Sequence, residues 1–78
     1  MKLPLIPQNR IPLCLFYFLV SNAGLFLAHH RFEEITPAFR DRRQVQTGIS
    51  RLRPFLEGNG FYMVMEYGIG YYCMKRNS

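Results

Sequence analysis

The chain has few of the residues from which small disulfide-rich domains and metal sites are built. Two cysteines allow at most one disulfide, and Cys14 lies inside an apolar run, far from Cys73. Neither a CxxC nor an HExxH pattern is present, and the glycine spacing fits no Walker or dinucleotide-binding loop. We therefore expect no disulfide framework, no enzyme activity, no metal site and no cofactor.

Acidic residues are also scarce. Five aspartates and glutamates stand against ten lysines and arginines, which gives a net charge of +5. This balance suits anionic lipid headgroups or nucleic acid, but charge alone does not choose between them. A chain of 78 residues is long enough for one domain at most, and we find no internal repeat.

The most prominent feature is the apolar run Ile11–Ala28, whose only ionisable groups belong to Cys14 and Tyr17. As an α-helix it would extend about 27 Å, close to the ~30 Å hydrocarbon thickness of a bilayer. We predict a transmembrane helix over 11–30, preceded by an irregular proline-rich arm over 1–10. The alternative is a signal peptide cleaved after Ala23, which would release a peptide of residues 24–78. The arginines that follow the run favour retention in the membrane.

Residues 31–56 are predicted to form a basic amphipathic helix and a loop. Thr36 and Pro37 are typical of a helix start, and Pro54 limits the helix to about 37–53. The helix carries one apolar stripe, which consists of Ala38, Val45, Ile49 and Leu52. Its arginines are predicted to bind a membrane surface: Arg40, Arg42, Arg43, Arg51 and Arg53. The alternative is that the stripe packs on a partner protein or on other segments of the chain.

Nucleic acid and a metal ion are the other partners that residues 29–53 suggest. Nucleic acid is not expected, because no helix-turn-helix, zinc ligand set or RNP motif accompanies the arginines. His29 and Glu33, like His30 and Glu34, are four positions apart on a helix, a spacing that suits either metal chelation or simple side-chain pairs. Since no third ligand is evident nearby, we expect no metal.

Residues 57–78 are rich in aromatic residues and glycine and end in a basic tail. The run Phe61–Met74 contains many β-favouring residues after an Asn59-Gly60 turn signal, but no partner strand is evident over 52–56. We therefore predict a second, short membrane segment, with Glu66 making an intramembrane polar contact. The alternative is that this segment never inserts and Glu66 stays in water.

Together these features predict an all-α small membrane protein with an N-terminal transmembrane helix, a basic amphipathic surface helix and a second short membrane segment. We expect it to be located in a membrane and to act without catalysis, as an accessory, assembly or regulatory subunit of a membrane complex. Its expected partners are the lipid bilayer and another membrane protein. The alternatives are the secreted peptide of residues 24–78 and a membrane-disrupting small toxin.

Overall fold

The apolar run of residues 11–28 is divided between two elements in the computed structural model, which describes residues 5–77. The first helix, α1, spans Arg10–Ser21 and ends where the Asn22 side-chain amide donates a 2.7 Å hydrogen bond to the Phe18 carbonyl oxygen. Gly24 then adopts a φ of 87°, in the left-handed region that favours glycine. The chain turns there and continues as strand β1, Phe26–Ala28.

This turn overturns the predicted transmembrane helix over 11–30. The 12 residues of α1 extend only about 18 Å, well short of a ~30 Å hydrocarbon layer. Nowhere in residues 5–77 is a helix both long enough and apolar enough to cross a membrane. The predicted all-α membrane fold is therefore wrong, because the described chain combines helices with a three-stranded antiparallel sheet. The proline-rich arm lies partly outside the described residues, and residues 5–9 form no regular element.

The predicted basic helix exists, but with different limits. Two 3₁₀ helices, His29–Glu34 and Pro37–Arg40, precede α2, which spans Arg42–Gly58. The Thr36 hydroxyl accepts a hydrogen bond from the Ala38 N–H and so caps the second 3₁₀ helix rather than α2. Asp41 is the N-cap of α2, since its carboxylate accepts a 2.9 Å hydrogen bond from the Arg43 N–H.

At its C-terminal end α2 passes through Pro54 and continues to Gly58. Pro54 has no N–H to donate to the Ser50 carbonyl oxygen, but both residues are exposed, so water can bond to that oxygen. Beyond Pro54, Leu56 is buried at 1% exposure, and this packing holds the last turn in helical geometry. The predicted end near residue 53 was wrong because tertiary packing outweighed the local preference of proline.

The predicted second membrane segment is a β-hairpin. Strands β2 (Phe61–Glu66) and β3 (Gly70–Lys75) pair in antiparallel fashion, and β1 pairs with the other side of β3. The strand order is therefore β1-β3-β2. The sequence offers no partner strand before the turn at residues 59–60, because the partner lies within the aromatic run itself, on the far side of a turn at 67–69.

Both α-helices pack on one face of this sheet. Tyr71 and Cys73 of β3 and Leu27 of β1 point toward the helices. The core consists of Leu15, Phe16, Leu19, Leu27, Phe32, Phe39, Val45, Ile49, Leu52, Leu56, Tyr71 and Cys73. Most of the apolar stripe of α2 thus packs on other segments of the chain, which was one of the alternatives to membrane binding for this helix. A peptide of residues 24–78 would lack the three core side chains that α1 supplies, and its release stays a prediction.

The opposite side of the sheet, which we call the outer face, has no covering element among residues 5–77. By strand alternation it carries Phe26, Tyr62, Val64, Tyr72 and Met74. The rings of Phe26 and Tyr72 lie 5.4 Å apart across the pairing of β1 with β3. Phe26, Tyr62 and Val64 are each about 40% exposed (38%, 38% and 41%). The outer face is therefore an aromatic and aliphatic surface that stays partly open to solvent.

Replacing Gly70 with alanine tests the pairing of β1 with β3. A Cβ at this position would collide with the Leu27 carbonyl oxygen and would come within 2.7 Å of the Phe26 ring. We expect Gly70→Ala to lower the free energy of unfolding by about 1–3 kcal/mol, because overpacking forces the backbones apart. Urea titration followed by circular dichroism measures this change.

Gly58→Ala is the matched control, because a Cβ at Gly58 meets nothing within 4 Å. It should leave stability unchanged or raise it slightly, since alanine favours the helix more than glycine does. Equal losses in the two variants would contradict the close approach of β1 to β3.

Candidate functional site: a basic cleft beside the sheet

The start of α2 faces β1 and the hairpin turn across an open cleft. Its volume is about 640 Å³. The walls come from β1, the first 3₁₀ helix, the junction of the second 3₁₀ helix with α2, and the turn between β2 and β3. We call it the basic cleft; its lining residues are Phe26, Ala28, His29, His30, Glu33, Arg40, Arg42, Gly68 and Ile69.

Backbone and aromatic contacts hold two of these walls together. The His29 N–H donates a hydrogen bond to the Ile69 carbonyl oxygen at 3.3 Å, which ties the end of β1 to the hairpin turn. The His29 ring meets Tyr71 edge to face, with ring centroids 5.5 Å apart. Because Tyr71 belongs to the core, this side of the cleft is anchored to the fold.

The positive charge of the cleft comes mainly from Arg40 and Arg42. The Arg40 Nε donates to a carboxylate oxygen of Glu33 at 3.2 Å, which bridges the two 3₁₀ helices. Arg42 is the first residue of α2 and forms no ion pair with any residue between 5 and 77. One guanidinium of the cleft is thus paired through an exposed contact, and the other is available to a ligand.

His29 is a partly buried titratable group of the cleft. Its burial lowers its pKa below the ordinary 6.5, and the nearby positive charge of Arg42 lowers it further. The ring atom Nδ1 is buried and has no hydrogen-bond partner in the described chain. His29 is therefore mostly neutral at neutral pH, and it shapes the cleft wall rather than adding charge.

The five arginines predicted as one membrane-binding surface do not lie together. Arg40 and Arg42 border the basic cleft, whereas Arg43, Arg51 and Arg53 are exposed elsewhere along α2. Arg53 borders a small cavity between α2 and β2. Glu66, predicted to contact a polar group inside a membrane, is exposed at the end of β2.

Four lining residues of the cleft were missed from the sequence: Phe26, Ala28, Gly68 and Ile69. The prediction placed Phe26 and Ala28 in the transmembrane helix, and Gly68 and Ile69 in the second membrane segment. The turn-favouring residues Asn22 and Gly24 before Phe26, and Gly68 within the aromatic run, were the available signals that the chain reverses at both places.

Groups suited to nucleophilic or metal chemistry do not converge in this cleft. Its described lining contains no cysteine, serine or threonine side chain. Cys14 is exposed on α1, while Cys73 is buried in the core, where burial raises its pKa to about 11. His29, His30, Glu33 and Glu34 form no group of three or more suitable ligands, and residues 5–77 contain no such group elsewhere. The arrangement is suited to holding an anion through guanidinium groups.

A second cavity, of about 410 Å³, lies between the arm, α1 and α2. Apolar side chains such as Ile11, Leu15 and Phe55 make up much of its lining, and Arg51 is its one charged residue among those described. The basic cleft is the better candidate site because charged and apolar groups converge there.

No family model matches this chain, and no curated protein matches it either. The interpretation of the basic cleft therefore rests on its own geometry and charge.

The depressed pKa of His29 predicts a specific loss of stability in acid. Below pH 6.5 the unfolded chain takes up a proton at His29 before the folded chain does, so the free energy of unfolding falls as the pH falls through this window. The His29→Phe variant retains the aromatic contact with Tyr71 but has no imidazole to take up a proton, so the part of the decline that is due to His29 disappears. Urea titrations at several pH values should show a smaller acid-side decline for His29→Phe than for the wild-type protein.

His30→Phe is the matched control, since it makes the same substitution one residue away, at an exposed histidine. It should keep the wild-type decline with pH. If both variants changed the pH dependence equally, the buried environment assigned to His29 would be wrong.

Proposed function

We propose that the chain is a non-catalytic binding protein, an accessory or assembly subunit, and that it holds an acidic segment of a partner protein in the basic cleft. The observation that carries the proposal is the convergence of Arg40 and Arg42 with the apolar side chains of Phe26 and Ile69 in one cleft. Guanidinium groups bind carboxylates through paired, directional hydrogen bonds. The apolar residues give a partner peptide surface to bury next to those ion pairs.

The exposed ion pair between Arg40 and Glu33 supports a carboxylate ligand. This contact, at 3.2 Å, lies on the cleft wall and pairs Arg40 with a glutamate carboxylate of the same chain. The Arg40 and Glu33 side chains are 79% and 36% exposed, so exchanging Glu33 for a partner carboxylate costs little. Arg42 offers a second guanidinium without any such exchange.

A carboxylate-bearing protein segment suits this geometry better than a nucleic acid. Nucleic-acid grooves carry positive charges along the path of the backbone, together with aromatic rings on which bases stack. Here Arg43, Arg51 and Arg53 lie outside the cleft, and the only aromatic hydrocarbon ring in its lining belongs to Phe26. That nucleic acid is not a partner stays a prediction.

Binding of a short fluorescein-labelled peptide of alternating glutamate and phenylalanine tests the proposal. Fluorescence anisotropy should give a dissociation constant that rises about tenfold in the double variant Arg40→Gln/Arg42→Gln, because two charge-assisted contacts are lost. The control Arg51→Gln/Arg53→Gln removes the same two charges outside the cleft and should change the constant by less than about twofold.

A thymidine oligonucleotide of matched charge serves as the second probe. If the oligonucleotide bound more tightly than the peptide, and with the same dependence on Arg40 and Arg42, the cleft would be a phosphate site and the protein-partner proposal would be rejected. Equal effects of the two double variants on both probes would show non-specific attraction by net charge and would reject the cleft itself.

A further inference from the structure

Strand β2 forms an edge of the sheet, and no strand among residues 5–77 pairs with its outer side. It lies at the end of the order β1-β3-β2 and has the sequence FYMVME. Natural edge strands are usually kept short or are protected by lysine, proline or bulges, because their free backbone groups pair readily with another strand. β2 has six residues, contains neither lysine nor proline, and exposes Val64 and Met65 at 41% and 51%.

The hairpin register identifies which backbone groups are free. The Arg76 N–H donates to the Gly60 carbonyl oxygen at 2.7 Å, so residue 60 directs its backbone groups toward β3. In an antiparallel ladder this direction alternates along the strand. The even-numbered residues of β2 therefore bond to β3, and the odd-numbered residues direct their N–H and C=O groups to the open edge. These residues are Phe61, Met63 and Met65.

We propose that a second copy of this chain pairs with β2 in antiparallel fashion, with a two-fold axis at Val64. In this register Met63 of one copy lies opposite Met65 of the other, and their free backbone groups bond to each other. Val64 meets its own counterpart, and each Tyr62 faces Glu66 of the other copy. The result is a continuous six-stranded sheet in which both outer faces lie on the same side.

In this arrangement an acidic residue of each copy lies close to a basic residue of the other copy. The Arg76 guanidinium lies over the Tyr62 ring, with its central carbon 5.5 Å from the ring centroid. Since Tyr62 faces Glu66 of the other copy, that carboxylate comes next to Arg76. The two-fold axis repeats the contact, so each copy supplies one acid and one base. This complementarity argues for a second copy of this chain rather than for an unrelated strand.

The pairing is a different surface from the basic cleft and does not depend on the proposed function. Phe26 and Ala28, on the β1 side of the cleft, lie at the opposite edge of the sheet from β2. The two β1 strands would therefore form the outer edges of the six-stranded sheet. A dimer of this kind would carry one basic cleft toward each outer edge.

A charge exchange tests the proposed register. In sedimentation equilibrium, Glu66→Arg and Arg76→Glu should each raise the dimer dissociation constant about tenfold, because like charges then meet twice across the axis. The double variant should return to within about threefold of the wild type. Residues 66 and 76 lie at opposite ends of the hairpin, about 20 Å apart, so their own attraction within one copy cannot produce this recovery.

Cysteine crosslinking gives an independent measure. In a Cys14→Ser background, which removes the exposed native thiol, Val64→Cys should oxidise to a covalent dimer, because residues facing each other across such an axis lie within disulfide range. Tyr62→Cys in the same background is the matched control. In the proposed register the two copies of residue 62 are about 13 Å apart, so no crosslink should form.

Three results would overturn the proposal. The first is a monomer at the highest concentration at which the protein stays soluble. The second is a dimer that neither charge variant weakens, which would place the contact elsewhere. The third is evidence of a different register. Such evidence would be two weakened single variants without recovery in the double variant, or crosslinking through residue 62 rather than residue 64.

Discussion

The hydrogen bonding of β3 on both of its sides is the constraint on which the described structure depends. One side of this strand pairs with β1 and the other with β2, so two strands that lie far apart in the chain join one sheet through it. Its inward side chains, Tyr71 and Cys73, belong to the core together with buried side chains of both helices. At Gly70 the strand lets β1 approach so closely that no side chain fits between them. A disturbance of β3 would therefore affect the core, the sheet and the cleft together.

The two edges of the sheet differ in ways that follow from this arrangement. β1 has only three residues and runs directly into a 3₁₀ helix, so that edge offers little free backbone and becomes one wall of the basic cleft. β2 is longer, apolar and open. In our proposals the first edge recognises an acidic segment and the second recognises another copy of the chain. A pair of linked clefts would bind a partner with two acidic segments more tightly than a single cleft could.

The largest error in the sequence analysis concerned the apolar run. Hydrophobicity measures how strongly a segment avoids water, but it does not distinguish a bilayer from a protein core. Leu15, Phe16 and Leu19 are as apolar as a membrane helix requires, yet they are covered by α2 and the sheet. The interruption at Asn22 and Gly24 was visible as a turn signal. The transmembrane prediction rested on the length of the run and not on this signal, which is why the predicted membrane fold was wrong.

Local signals in the sequence by themselves determined the amphipathic segment within α2, the turn at Asn59-Gly60 and the strand preference of the aromatic run, because each depends on neighbouring residues. The apolar stripe was also legible, since Val45, Ile49 and Leu52 recur at helical spacing. Only the tertiary structure decided what covers that stripe, which strands pair, and that Phe26, Arg42 and Ile69 border one cleft. These are contacts between distant segments, and they form because the whole chain must bury its apolar surface at once, a requirement that no single segment expresses.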